Sequence, residues 1–253
     1  MFDASARVTP EIPRVRRGFL SPCQTWSVER PSERTARDKH NRASRLRSAR
    51  LYLVCDGQED RFLEAALRGG VDIVQLRLKQ ASDREIISAS RRFAKVCAAH
   101  GALFILNDRP DLVAEATADG VHVGQDDVPV GQARALVGPQ RLVGLSTHSE
   151  AQIDAAGEAP DYIGVGPVYE TPTKPGRVAV GLDLVRYASA RAATPFFAIG
   201  GIDDRTVGGV VAAGALRVAV VRALVDAPDP EAAARMLRQA LEDKREAIGT
   251  AQS

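Results

Sequence analysis

The stretch LYLVCDGQED, residues 51–60, decides between two folds. Leu51 to Cys55 make an apolar run of strand length, and the chain turns directly after it. An open doubly wound sheet usually places a glycine-rich dinucleotide turn, GxGxxG, after its first strand. This turn carries only Gly57. Moving outward, runs rich in Val, Ile and Leu recur at 72–78 (DIVQLRL), 103–107 (LFILN), 120–123 (GVHV), 141–146 (RLVGLS), 162–168 (YIGVGPV), 196–200 (FFAIG) and 217–221 (RVAVV). Helix-like segments such as DRFLEAALRGG (60–70), DREIISASRRFAKVCAAH (83–100) and DPEAAARMLRQALEDKREA (229–247) lie between or after them. Asp83 and Asp229 stand where N-caps are expected, and Gly69 or Gly70 where a helix stops. Strand–helix alternation implies parallel strands joined by right-handed crossovers. Eight such units in about 200 residues fit an α/β fold of the (β/α)8 TIM-barrel type, near its lower size limit.

Before Leu51 the pattern is absent. Residues 1–50 hold 12 Lys/Arg against 5 Asp/Glu, a net +7, so the remainder is net −5 within a chain total of +2. Rich in Arg, Ser and Pro and without sustained periodicity, this part reads as a basic, mostly disordered extension. The domains expected are therefore an extension at 1–50 and a catalytic barrel at 51–253. Basic composition alone is weak support for a nucleic-acid tail, and none is expected as a partner. Five acidic residues argue against a transit peptide, and no compact apolar core marks a signal peptide. No run has the length of a membrane helix, so no membrane partner is expected. Cys23, Cys55 and Cys97 are odd in number and widely spaced, which fits reduced thiols in a cytoplasmic protein. A homo-oligomer is left open.

In a barrel, function collects where strands end. The stretch VQLRLK (74–79) alternates apolar with polar residues, which places Gln75, Arg77 and Lys79 on one face. Asn107 and Asp108 end the third strand, Gln125, Asp126 and Asp127 follow the fourth, and Ser146, Thr147 and His148 end the fifth. Arg77 can pair with phosphate oxygens through two hydrogen bonds, and Lys79 adds a mobile charge. Asp108 and Asp127 are hard oxygen ligands of the kind Mg²⁺ accepts, with water and phosphate filling its other positions. Either acid alone reads better as a turn or cap residue; two at adjacent strand ends beside a polar-faced strand point to a metal and an anion. Gly200–Gly201 lets backbone N–H groups approach a second phosphate. The Pro/Gly-rich loop ETPTKPGRVAVG (170–181) can act as a lid carrying Thr171, Thr173 and Lys174. His40, His100, His122 and His148 show no zinc spacing, His122 reads as a plain occupant of the fourth strand, and no GxSxG elbow is present.

VQLRLK, LNDRPDL, ADGVHVGQDD, GLSTHS, GVGPVYETPTKPG and AIGGI together resemble, in order and spacing, the motifs of the thiamine-phosphate synthase family. The resemblance runs from Leu51 to about residue 245. It implies a transferase joining 4-amino-5-hydroxymethyl-2-methylpyrimidine diphosphate to a thiazole phosphate, with thiamine phosphate and diphosphate as products. It further implies that Gln75, Arg77, Lys79 and Asn107 contact the pyrimidine diphosphate, with Ser146 and Lys174 near the diphosphate. Asp108 and Asp127 would hold Mg²⁺, Thr171 and Thr173 would bind the thiazole phosphate, and Gly201, Val221 and Arg222 would assist. Arg77, Lys79 and Lys174 are then the catalytic cations.

Two positions depart from the family's pattern. Leu78 stands where an acidic residue is usual, and strand alternation points it towards the helix layer. Arg222 replaces a serine often seen there and could add charge for the thiazole phosphate. Two alternatives remain beside the synthase: a metal-independent thiazole-phosphate isomerase of the related barrel type, and a non-catalytic barrel that binds thiamine phosphate.

Overall fold

The computed structural model describes residues 31–171 and 178–251. Eight parallel strands close into a barrel in sequence order: β1 (Leu51–Cys55), β2 (Ile73–Leu76), β3 (Leu103–Asn107), β4 (Gly120–Val123), β5 (Leu142–Thr147), β6 (Tyr162–Val165), β7 (Phe196–Ile199) and β8 (Val218–Val220), the last pairing with the first. Around and below them lie α1 (Pro31–Ser48), α2 (Asp60–Arg68), α3 (Asp83–Ala99), α4 (Val130–Val137), α5 (Glu150–Ala156), α6 (Gly181–Arg191), α7 (Val207–Ala212), α8 (Arg222–Val225) and α9 (Pro230–Ala251). Between β3 and β4 the chain forms a short 3₁₀ turn, Pro110–Leu112, where a helix was expected. Proline opens that turn, and the link from β3 to β4 spans only residues 108–119, too few for a longer helix and its two connections. No described helix is long and apolar enough to cross a membrane.

Side-chain alternation splits the core into two layers. Leu51, Leu53 and Cys55 of β1, with Val74 and Leu76 of β2, pack outward among helix residues such as Leu63, Phe93 and Val210. Tyr52, Val54, Ile73, Leu103, Ile105, Leu142, Tyr162, Phe197 and Ala219 fill the barrel itself. Leu78 packs against the outer layer, as its parity requires.

Helix ends explain where the chain turns. Ser82, rather than Asp83, caps α3: its hydroxyl accepts from the Glu85 N–H while the Glu85 carboxylate accepts from the Ser82 N–H. Asp83 is instead drawn to Arg109, 2.6 Å away, which also grips Asp111 and so fastens the turn after β3 to the start of α3. Asp229 does cap α9, accepting from the Ala232 N–H at 3.0 Å. Gly69 lies where α2 crosses α9, and a β-carbon there would sit 2.6 Å from Ala234 Cβ.

The extension departs from expectation. Residues 31–48 form a helix, and its end is built into the barrel floor. Leu46 and Ala49 are buried with Ile73, Leu103 and Leu142. Arg42 pairs with Asp119 at 2.8 Å, Arg45 donates to the Gly101 carbonyl, and Arg50 and Arg217 both donate to the Arg47 carbonyl. Cations on the last carbonyls of a helix complement its dipole. A boundary at residue 50 therefore cuts through a packed unit. Residues 1–30 lie outside the described residues.

Candidate active site

The strands' C-terminal ends surround a cavity of about 440 Å³. Gln75, His122, Ser146, Thr171, Gly201, Val221 and Arg222 line it, above a wall of Tyr52, Tyr162 and Phe197. Sequence-expected residues from β2, β5, β6, β7 and β8 thus meet around one space. Thr173 and Lys174 lie outside the described residues.

Beside the cavity stands a charged rim. Asp108 follows β3 with φ 59°, a left-handed conformation uncommon outside glycine, of the kind found at ligand sites. Its carboxyl meets that of Asp127 at hydrogen-bonding range, faces Lys79 Nζ at 3.4 Å and receives a hydrogen bond from the Asn107 side chain. Burial raises its pKa, the Asp127 carboxyl raises it further, and Lys79 and Asn107 only partly offset this. Asp127 also folds back to accept from the Gly124 N–H at 2.7 Å, fixing the turn after β4. Two oxygen-donor carboxyls held against each other, with the ionised form disfavoured, suit a hard divalent cation that would relieve their repulsion. Among the described residues no group of three or more His, Cys, Asp or Glu side chains gathers, so any such cation would draw its remaining ligands from water or a phosphate. Arg77 lies half-buried just past β2, its N–H continuing the strand ladder to the Cys55 carbonyl at 2.8 Å.

Rim and cavity are joined by side chains. Gln75 Nε2 donates to Asn107 Oδ1 at 2.7 Å, and Gln75 Oε1 accepts from the Tyr52 hydroxyl at 3.0 Å. The Tyr52 and Tyr162 hydroxyls are 3.0 Å apart. Tyr162 Oη lies 3.3 Å from His122 Nδ1, and His122 Nε2 lies 3.0 Å from Ser146 Oγ. Burial pushes both tyrosine pKa values up, so both hydroxyls keep their protons. Ser146, expected from the family motif beside a diphosphate, is thus engaged with a histidine inside the cavity.

Tyr52, Tyr162 and His122 were not singled out from sequence as site residues. The available signal was parity: on β1, β4 and β6 each shares the inward face of its strand. Gly144 leaves the room they need, since a β-carbon there would lie 2.5 Å from both His122 Nδ1 and the Tyr162 hydroxyl.

Gly200 and Gly201 have φ of 105° and 63°. A β-carbon would come within 2.5 Å of Pro167 at the first and 2.7 Å of Tyr169 Cβ at the second. Both glycines are thus required by the close approach of the loop after β6, apart from any phosphate. Cys55 and Cys97 are buried, and burial pushes both thiols up, Cys97 to about 12, which leaves neither a nucleophile at neutral pH.

Comparison with known proteins adds the relationship. The family model described as "Thiamine monophosphate synthase" matches residues 51–224. A thiamine-phosphate synthase of Acidothermus cellulolyticus is 51% identical over 197 residues, covering 75% of this chain and 93% of that protein. One from Nostoc punctiforme is 50% identical over 194 residues, covering 76% of this chain and 55% of its own length, so the chain spans about half of that longer relative. Among solved structures, a thiamine phosphate pyrophosphorylase from Pyrococcus furiosus superposes with a TM-score of 0.71 at 30% identity, covering 77% of this chain and 96% of that one.

Proposed function

The chain belongs to the thiamine monophosphate synthase family, and from that membership we propose that it condenses an aminopyrimidine methyl diphosphate with a thiazole phosphate to form thiamine phosphate and diphosphate. The observation that carries this reading is the Asp108–Asp127–Lys79 rim joined through Asn107 and Gln75 to a closed-sided cavity of about 440 Å³. One side accepts a diphosphate, and the other accommodates two rings and a second phosphate.

In the proposed reaction the bond between the pyrimidine's methylene carbon and diphosphate oxygen breaks, its electron pair leaving with the diphosphate. The thiazole nitrogen then forms the new C–N bond with its lone pair. Arg77 and Lys79 stabilise charge on the departing oxygens, and Lys174 would join them from the loop after β6. Asp108 and Asp127 would hold Mg²⁺, which when bound supplies further neutralisation of diphosphate charge. Gln75 and Asn107 orient the pyrimidine diphosphate. Thr171, Thr173, the backbone at Gly201, Val221 and Arg222 seat the thiazole phosphate, and the segment 170–181, acting as a lid, would exclude water that would capture the electrophilic carbon. No side-chain nucleophile is needed. The buried thiols of Cys55 and Cys97 are compatible with a reducing cytoplasm.

The test is thiamine phosphate formation from the two purified substrates, with Mg²⁺ and with EDTA. Metal-dependent product is expected. Tight binding of thiamine phosphate without any turnover would instead make the chain a binding barrel.

A further inference from the structure

The proposed reaction leaves two charged residues of LNDRPDL unused, Arg109 and Asp111. The rim beside the cavity is assembled from two loops. Residues 77–82, between β2 and α3, carry Arg77 and Lys79, and the turn after β3 carries Asp108. Within the rim itself Lys79 Nζ stands 3.4 Å from Asp108, longer than a charge-assisted hydrogen bond. That contact is too loose to fix the separation of the loops. Arg109 makes shorter bonds on their flank. Its Nε and Nη2 donate to the paired oxygens of Asp111 at 2.9 and 2.6 Å, and Nη1 donates to Asp83 Oδ1 at 2.6 Å. The paired bonds hold the guanidinium plane within its own turn, and the third reaches across to the first residue of α3. Both anchor points are seated: Pro110 and Leu112 are buried, and Asp83 directly follows the Ser82 cap.

The backbone between the clamp and the rim has little slack. Asp108 is left-handed at φ 59°, and Arg109 precedes a proline, which restricts it to the extended side at φ −118° and ψ 72°. A shift of the guanidinium is therefore passed to Asp108 and is not absorbed between them. We propose that Arg109 is a positioning residue: by tying the turn after β3 to the start of α3 through Asp83, it sets the spacing between Lys79 and Asp108 across the rim. Resting on the proposed function, that spacing decides how well a diphosphate and its cation are gripped together. An exposed ion pair adds little to stability. The value of this one lies in the geometry it imposes, because a small misplacement of charged groups at a reacting centre costs rate steeply.

The first measurement is amide hydrogen–deuterium exchange of the full chain without metal, parent against Arg109→Ala. Exchange should quicken in both loops, 77–82 and 108–112. Quickening confined to 108–112 would mean that the arginine braces only its own turn, and would overturn the proposal. Calorimetric titration with Mg²⁺ and inorganic diphosphate together then reads the rim. Affinity should fall about tenfold in Arg109→Ala and to a similar extent in Asp83→Asn, which weakens only the arm between the loops. The double variant should lose no more than Arg109→Ala alone, because both changes act on one link. Arg68→Ala, which breaks an ion pair with Glu231 at 2.9 Å between α2 and α9, should leave the affinity unchanged. A lower melting temperature in Arg109→Ala with unchanged affinity would make the arginine a purely structural brace and refute the positioning role. In turnover the loss should fall on kcat, with the KM for thiazole phosphate within about twofold of the parent. The exchange comparison needs neither metal nor turnover. A parent that binds no magnesium diphosphate would count against the synthase reading, while exchange still decides the clamp.

Discussion

Asp108 combines three costs that an ordinary surface aspartate avoids. Its backbone is left-handed, its carboxyl is partly buried, and a second carboxyl lies against it. Its folded pKa is raised above the ordinary aspartate value of 3.8, so it holds a proton more tightly in the folded chain than in the unfolded one. The linked stability is fully present below the unfolded pKa and is lost as pH rises through the folded one. At neutral pH the ionised group is therefore a net liability in the metal-free protein. Asp108→Asn, which tolerates the same backbone conformation, should melt at higher temperature than the parent at pH 7. The difference should close as pH falls towards 3.8, followed by calorimetry in EDTA. The same variant should lose Mg²⁺-dependent product formation by at least about tenfold, the stability–activity opposition expected of a ligand-binding acid. A variant that melts lower at pH 7 would show that the acid pair is structural. Leu78 is quieter: it packs outward against the helix layer, so the departure from the family's acidic residue leaves the rim's polar face intact.

At the scale of elements, α1 is where the expectation and the structure part. Its arginines and low apolar content look like a solvated arm, yet Leu46 and Ala49 close the barrel floor under Ile73, Leu103 and Leu142. Only two apolar residues do this, too few for a helical stripe to stand out among RTARDKHNRASRLRS. Leu46→Ala should cost about 2–4 kcal/mol in urea unfolding, the range for emptying a closed core site. Arg42→Ala, which removes a partly buried ion pair with Asp119, should cost less, about 1 kcal/mol. Equal small losses for both would mean that α1 rests on the floor without sealing it. The capping of α3 teaches a similar lesson: SDRE offers two good caps side by side, and only the backbone's path selects Ser82 and sends Asp83 to Arg109.

Over the whole molecule, the floor repeats one device. Asp72, Asp119 and Asp161 each stand one residue before an even-numbered strand. Each accepts backbone N–H groups from the preceding odd strand, at Arg50 and Leu51, at Phe104 and at Val143. Each is matched by an arginine from a helix: Arg238, Arg42 and Arg134. Before β8 the corresponding residue is Arg217, which reaches α1 instead; burial, with Arg50 nearby, pulls its pKa down to about 10. Asp119→Ala and Asp161→Ala should each destabilise by about 2 kcal/mol through orphaned donors. They share no partner and lie two strands apart, so the double variant should be additive within about 0.5 kcal/mol by denaturant unfolding. A large coupling would show that the floor acts as one network. Gly144→Ala should do more damage than either, because its methyl would enter the space where Tyr162 and His122 meet.

Sequence alone determined the repeating unit. The alternation of apolar runs with amphipathic segments placed all eight strands, and the polar residues at their ends marked Gln75, Arg77, Lys79, Asn107, Asp108 and Asp127 as a group, because both signals are periodic and local. Tertiary structure alone decided what those residues face. The Tyr52–Tyr162 contact joins positions 110 residues apart, and that of His122 with Ser146 exists only because β4 and β5 pair in one register. An inward tyrosine or histidine on a strand reads from sequence as core. Whether it is packing or part of a hydrogen-bonded chain depends on which polar atoms closure of the barrel brings within 3.3 Å of it, and no local pattern encodes that distance.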